Sequence, residues 1–158
     1  TRLCLSAFSS FVRHKKNEAS TTIRVLDIGS GSGILSIAAA LSLPTCQVTA
    51  FDLDTQSIHS TRENARKNRV ETKITAQKGS IERAKGPFDL IFANLFLNPL
   101  LKMAPGMGRL LRTSGIAILS GILTHQAPKL VSTLKAEGVK LIGASSKKKW
   151  ACVTVKKS

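Results

Sequence analysis

The stretch "IRVLDIGSGSGILSIAAALSLPTCQVTAFDLD", residues 23–54, limits what this chain can fold into more than any other feature. An apolar run rich in β-branched residues stops at glycines, an Ala- and Leu-rich run follows up to Pro44, and a second apolar run ends in aspartates. The outer two read as buried strands and the middle one as a helix. Strand, glycine turn, helix and strand in that order make a βαβ unit, which commits the chain to a parallel sheet.

The alternation continues downstream. Residues 55–68 are expected to form a helix with Thr55 as its N-cap, "TKITAQKG" a third strand and "FDLIFAN" a fourth. Residues 99–111 read as a helix despite Pro105, "GIAILSG" as a fifth strand, and residues 124–137 as a helix ending at Gly138. "VKLIGAS" and "WACVTVKK" leave no room for a helix between them, so they should pair antiparallel. Ahead of the first strand, residues 2–12 suit an amphipathic helix and residues 13–22 a polar basic loop. The expected fold is α/β: one domain over residues 1–158, on a doubly wound, seven-stranded, mostly parallel sheet with one antiparallel edge strand and helices on both faces. Thr1 opens a helix already under way, so a preceding segment is expected.

No membrane span is expected, because the longest nearly apolar stretch, residues 34–43, falls short of the ~20 residues that crossing requires. The three cysteines, Cys4, Cys46 and Cys152, lack metal-ligand spacing and read as free buried thiols in a reducing, cytoplasmic compartment. Charge is less ordinary: 24 Lys and Arg against 9 Asp and Glu give +15. Such a balance suits nucleic acid, ribonucleoprotein or acidic partners, although scattered basic runs also occur as solvated faces.

In open α/β sheets ligands bind beyond the carboxyl ends of the strands. Asp27, Asp52 and Asp54 fall at such ends, which suggests selection by a ligand, while Asp89 falls at the opposite end. Gly29, Gly31 and Gly33 let the chain turn tightly and leave room for a ligand against the main chain. The dinucleotide fingerprint would need a glycine where Ile34 stands, so a nucleoside with a less charged appendage is the better guest. Asp52, at the tip of the second strand, can accept hydrogen bonds from both hydroxyls of a ribose. Asn94 ends the fourth strand with a donor and an acceptor in fixed positions, enough to orient an amine or hold a cofactor group. Asn98, just before Pro99, suits a helix start.

Together "VLDIGSGSGILSIAAA", "FDLD", "FDLIFANLFLNPLL", "LSGIL" and "TLKAEGV" resemble the class I, S-adenosylmethionine-dependent methyltransferases, with their Rossmann-like fold. More narrowly they are similar to the PrmA family, the ribosomal protein L-eleven methyltransferases; "ANLFLNPL", and "LSGIL" followed by Gln126, are the most specific parts. "TRLCL" is similar to the segment just after that family's G-T-G-x-H-P-T turn. The resemblance implies cofactor contacts at Thr1, Gly29, Asp52 and Asn94, with Gly31 in the same loop, and an entrance for the acceptor amine at Leu95 to Leu97. It implies Asn94 near the reacting methyl as the catalytic position, and a ribosomal protein as partner. Against that resemblance, the family's N-terminal recognition domain is expected to be absent, and Lys149 stands where an acidic residue precedes the late tryptophan.

The implied chemistry is displacement by an amine, from lysine or a chain terminus, on a sulfonium methyl, with no metal. Alignment at ~3 to 3.5 Å and loss of water from the nucleophile would drive it, and an apolar rim at Leu95 and Phe96 would favour the neutral amine. His125 is close to the rim in sequence without being marked as a base. A nucleic-acid methyltransferase, or a cofactor-binding or ribosome-docking fragment without turnover, are the alternatives; a nicotinamide dehydrogenase is disfavoured by Ile34.

Overall fold

A computed structural model describes residues 1–15 and 21–158. Helix α1 (Arg2–Lys15) leads into β1 (Ile23–Ile28), α2 (Ile34–Ser42), β2 (Cys46–Asp52), α3 (Thr55–Lys67) and β3 (Ile74–Lys78). Then follow β4 (Phe88–Asn94), α4 (Leu97–Leu110), β5 (Leu111–Leu123), α5 (Ala127–Ala136), β6 (Val139–Lys147) and β7 (Trp150–Lys157). The seven strands form one sheet in the order β3-β2-β1-β4-β5-β7-β6, parallel except for β7. Antiparallel pairing therefore lies at one edge, as expected, with the reversed strand next to last and β6 outermost.

Period-two alternation builds the two cores. In β4, Leu90 and Phe92 join Val25, Ala39, Leu43 and Phe8 on one face, while Ile91 and Ala93 join Leu26, Leu100, Met107 and Leu130 on the other. With both faces covered, β1 and β4 are apolar almost throughout, the mark of a central parallel strand. Pro105 sits inside α4, which continues through it because Leu100, Met103, Ala104 and Met107 are all buried around it.

Several boundaries differ from expectation. Helix α1 reaches Lys15, so part of the expected basic loop is helical, and residues 16–20 of that loop lie outside the described residues. Asp54, not Thr55, caps α3: its carboxylate accepts the Ser57 N–H and Oγ–H, both at 2.9 Å. Helix α4 begins at Leu97, two residues before Pro99, so Asn98 lies inside its first turn. The longer β5 covers the expected fifth strand from Leu111 onward.

Asp89 works at the amino end of the sheet, away from the glycine loop. It accepts the Arg24 N–H at 2.9 Å and pairs with Arg112 at 3.3 Å, and Arg24 donates to the carbonyls of Pro87 and Lys85. The three cysteines are free and buried. The Cys4 and Cys152 side chains act on each other across the interface of α1 and β7, which holds the Cys4 thiol below and pushes the Cys152 thiol above the usual range.

Candidate active site

β1 leaves the sheet at Gly29, where φ is +73°, and the N–H groups of Gly29 and Ser30 both donate to the Phe51 carbonyl, at 2.8 and 3.1 Å. The left-handed conformation favours glycine there, and a Cβ on Gly29 would stand 2.5 Å from Leu95 Cδ2, so the Leu95 side chain would have to move. Gly31 is different: its φ is +55°, yet nothing lies within 4 Å of where a Cβ would be. The loop thus presents an open patch of main chain at Gly31.

Asp52 braces that loop. Its Oδ2 accepts the Gly31 N–H at 2.9 Å and its Oδ1 accepts the Asp54 N–H at 2.9 Å. Each carboxylate oxygen keeps lone-pair capacity for a further donor. Beside it Leu53 is 71% exposed, an apolar surface at the lip of the loop.

From α3, Thr61 Oγ1 donates to the Gly31 carbonyl at 3.0 Å and Asn64 Nδ2 to the Ser32 carbonyl at 2.9 Å. The Thr61 hydroxyl has a single proton, committed to Gly31, so the 3.1 Å contact with Ser30 has Ser30 as donor. Neither Thr61 nor Asn64 is singled out by the sequence. Their one signal is spacing: they lie one helical turn apart, beside the buried Ile58 and Ala65.

The expectation that three carboxylates serve one ligand is corrected by what they touch. Asp27 points inward at 1% exposure, and its Oδ2 accepts the Ser36 N–H at 3.1 Å and the Ser36 Oγ–H at 2.6 Å, pinning the first turn of α2. Burial pushes its pKa up to about 6 against the lowering by the Ser36 hydrogen bonds, and the charge of Asp52 adds to the rise. Asp54 is occupied as the α3 cap. Asp52 alone offers a carboxylate at the rim.

Asn94 ends β4 opposite Ser120 of β5, and its Nδ2 donates to Thr1 Oγ1 at 3.0 Å, joining the start of α1 to the centre of the sheet. The next N–H, that of Leu95, donates to the Ser120 carbonyl at 3.0 Å, and Ser120 Oγ donates to the Ala151 carbonyl at 2.8 Å. The β5 to β7 register slips between Ser120 and Ile122, and the irregularity is Gly121, at φ +88°. A Cβ there would stand 2.6 Å from the Leu95 carbonyl oxygen. Leu95 is therefore clamped between Gly29 and Gly121, a role for Gly121 that its sequence position alone does not reveal.

Thr1, Asn94 and Leu95 open onto a cavity of about 610 Å³ whose wall is mostly apolar and whose far side is the β6 to β7 hairpin. Phe96, 72% exposed, and Trp150, 39% exposed, stand at its mouth. The hairpin is tied down where Thr124 N–H donates to the Lys149 carbonyl at 2.9 Å. Of the expected positions, Thr1 and Asn94 line the cavity, Gly29 lies against the cavity residue Leu95, and Gly31 and Asp52 form a hydrogen-bonded pair outside the lining. His125 is in the 124–126 turn and does not line the cavity. Among the described residues, no group of three or more His, Cys, Asp or Glu side chains could hold a metal ion, and no helix is long and apolar enough to cross a membrane.

A sheet of this strand order, with a glycine loop after β1, an acid at the end of β2 and a polar residue at the end of β4, defines the class I methyltransferase fold. The chain matches the sequence profile of "Ribosomal protein L11 methyltransferase (PrmA)" over residues 1–158 and belongs to that family. It is 35% identical over 153 residues to a protein of Gloeobacter violaceus named ribosomal protein L11 methyltransferase, covering 97% of this chain and 46% of that one. A Rhodopseudomonas palustris protein of the same name is 35% identical over 163 residues, covering 100% of this chain and 53% of its own. The chain thus spans about half the length of these curated relatives. A crystal structure of a ribosomal protein L11 methylase from Lactobacillus delbrueckii subsp. bulgaricus superposes with a TM-score of 0.81 at 30% identity, over 95% of this chain and 79% of that one. TrmN from Thermus thermophilus shares the fold, with a TM-score of 0.73 at 24% identity over 93% of this chain and 48% of its own.

Proposed function

We propose that this chain is the S-adenosylmethionine-binding, methyl-transferring part of a ribosomal protein methyltransferase, and that its acceptor is a lysine or N-terminal amine of a protein such as that named by its relatives, ribosomal protein L11. The observation that carries this reading is the proximity of two unlike features, linked where Gly29 lies against Leu95: a braced glycine loop with a carboxylate at its lip, and a mostly apolar cavity lined by Asn94.

The residues fit the cofactor by their chemistry. Asp52 has acceptor capacity for ribose hydroxyls, the open face of Gly31 admits a group against the main chain, and exposed Leu53 offers apolar surface to a purine ring. Thr1 and Asn94 supply a hydroxyl and an amide toward the amino-acid end. When bound, S-adenosylmethionine supplies an electrophilic methyl on a sulfonium sulfur.

Asn94 is the residue assigned to the reacting end. Its backbone is fixed by pairing with Ser120, and its Nδ2 is oriented by Thr1, leaving Oδ1 as an acceptor able to align an amine N–H. Leu95 and Phe96 displace water from the nucleophile, which favours the uncharged amine that carries the lone pair. A ribosomal acceptor is met in the cytoplasm, the location this reading assigns.

Calorimetric titration with S-adenosylmethionine tests the cofactor assignment, and transfer of isotope-labelled methyl from it to purified ribosomal protein L11 tests the acceptor. Saturable binding weakened in Asp52→Ala and Asn94→Ala supports the first. Label reaching RNA and no protein would move the acceptor to nucleic acid.

A further inference from the structure

A second cavity, of about 690 Å³, lies on the α1 face of the sheet, between that helix and the edge strand β6 and over β7. It shares no lining residue with the cavity at Asn94. Five hydroxyls make up much of its polar lining: Ser6 and Ser10 of α1, Ser114 of β5, Ser145 of β6 and Thr154 of β7. Phe11, half-buried, and Ile142, 54% exposed, add apolar surface, and Lys156 supplies charge.

One end of this groove is set up at a cost. Lys156 stands directly opposite Lys140 in the β6 to β7 ladder, and both are exposed. Antiparallel partners lie about 5 Å apart at Cβ, where like charges repel. Among the described residues neither lysine has a carboxylate partner: the ion pairs are Lys67 with Glu63 and Arg112 with Asp89. Near the same end Ser114 holds φ +65°, a conformation unfavourable for a residue with a side chain. On α1, Arg13 donates from Nη2 to Ser10 Oγ at 3.0 Å, which holds a guanidinium beside the groove. Ser6, Ser10 and Arg13 follow one another at steps of about 5–6 Å along one face of the helix. An anion with repeated charges would relieve the lysine repulsion and find hydroxyl and guanidinium donors in a row.

We propose that the groove between α1 and β6 binds single-stranded RNA, with Lys140, Lys156 and Arg13 on its phosphates, the hydroxyls on phosphates and ribose, and Phe11 and Ile142 against a base. Cations alone would serve any polyanion; the hydroxyls decide for RNA. Each of them both donates and accepts, as a ribose 2′-hydroxyl does, whereas the carboxylates of an acidic peptide ask only for donors and DNA lacks the 2′ group. A trough between a helix and a strand tracks one nucleic-acid backbone and lays bases on its apolar surface. The inference goes beyond the proposed function and does not involve the cofactor. It gives part of the +15 charge a use that methyl transfer does not require.

The test is fluorescence anisotropy of a labelled oligouridine of about 12 nucleotides, within the span such grooves occupy, titrated with the full chain over a range of salt concentrations and without cofactor. Lys140→Gln/Lys156→Gln should weaken binding at least about tenfold at about 0.05 M salt, and should flatten the slope of log affinity against log salt by about 1.4, two phosphate contacts at about 0.7 each. The same variant should melt at a higher temperature than the parent, because the repulsion between the two lysines is gone; that rise shows that the lost binding is not lost folding, and a fall would overturn the like-charge argument. Lys102→Gln/Lys129→Gln removes the same charge from exposed positions of α4 and α5, on the other face of the sheet, and should bind as the parent does. Equal weakening in both variants overturns the site, since binding would then follow net charge alone. Unchanged affinity in the groove variant, or no binding by the parent, overturns it as well. An oligodeoxyuridine that binds as tightly as the RNA, or polyglutamate that displaces it, would overturn RNA as the occupant in favour of DNA or an acidic polypeptide. RNA binding by a chain that does not bind S-adenosylmethionine would sink the proposed function and leave this inference standing.

Discussion

The Gly31 N–H donates to Asp52 Oδ2 at 2.9 Å, so the carboxylate proposed to meet a ribose also holds the loop that would lie beneath it. Asp52→Ala should cost about 1–2 kcal/mol of stability through the lost brace and at least about tenfold in cofactor affinity. Asp52→Asn keeps one oxygen acceptor and should regain part of the stability without the affinity. Thermal unfolding and calorimetry on the same preparations separate the two effects, and full recovery of both by Asn would reduce Asp52 to a brace.

Two glycines with positive φ should respond to different degrees. At Gly31 a Cβ meets nothing, so Gly31→Ala should lose about 1 kcal/mol from backbone strain while cofactor affinity falls disproportionately. At Gly121 the Cβ would stand 2.6 Å from the Leu95 carbonyl oxygen, so Gly121→Ala should lose more than about 2 kcal/mol and displace Leu95. Urea unfolding of the pair gives the comparison.

Asp27 predicts a pH signature. Its carboxyl titrates at about 6 when folded, against 3.8 ordinarily, so the native state binds the proton more tightly. The stability this contributes is complete below about pH 4 and disappears as pH rises through 6, a change of about 3 kcal/mol. Asp27→Asn retains an oxygen for Ser36 and should remove that slope. Subtracting variant from parent stabilities between pH 4 and 7 isolates it, because Asp54 and Glu63, whose pKa values are lowered by Ser57 and Lys67 respectively, contribute equally to both.

Asn94 is only partly buried and its side chain has one hydrogen bond, to Thr1. Asn94→Ala should therefore change stability by no more than about 1 kcal/mol while lowering methyl transfer to an amine acceptor by about 100-fold. A parallel loss of melting temperature would show that its role is architectural.

All three thiols are buried and unpaired by disulfide. A chromogenic aromatic disulfide should find none of them in the folded chain and all three in denaturant. Rapid reaction of one thiol under native conditions would show local opening at α1 or at β2.

Where the sequence was legible, burial on both faces made it so. The apolar runs of β1, β2 and β4 could belong only to central parallel strands, and the glycines after β1 only to a turn. The place of β7 was less accessible, because pairing with β6 leaves open which of the two lies next to β5. Asp27 and Asp52 look alike at the ends of their strands. They differ in depth: Asp27 lies level with Ala50 and is covered by α2, whereas Asp52, two residues farther along the same face, lies beyond the covered part. Thr61 and Asn64 were hidden because their partners are carbonyls of a loop 30 to 32 residues away, which periodicity within a helix cannot disclose.

The cavity joins residues far apart in sequence: Thr1, just ahead of α1, Asn94, 93 residues later, and Trp150 of the β6 to β7 hairpin. Contacts at such sequence separation close late, after the local βαβ units have formed. During synthesis, the inner strands are available to fold well before the hairpin that walls the cavity has been made. Emission from Trp150 is thus a timestamp for completion of the site, and a nascent chain that has not yet made its last strand has a sheet but nowhere to put an acceptor.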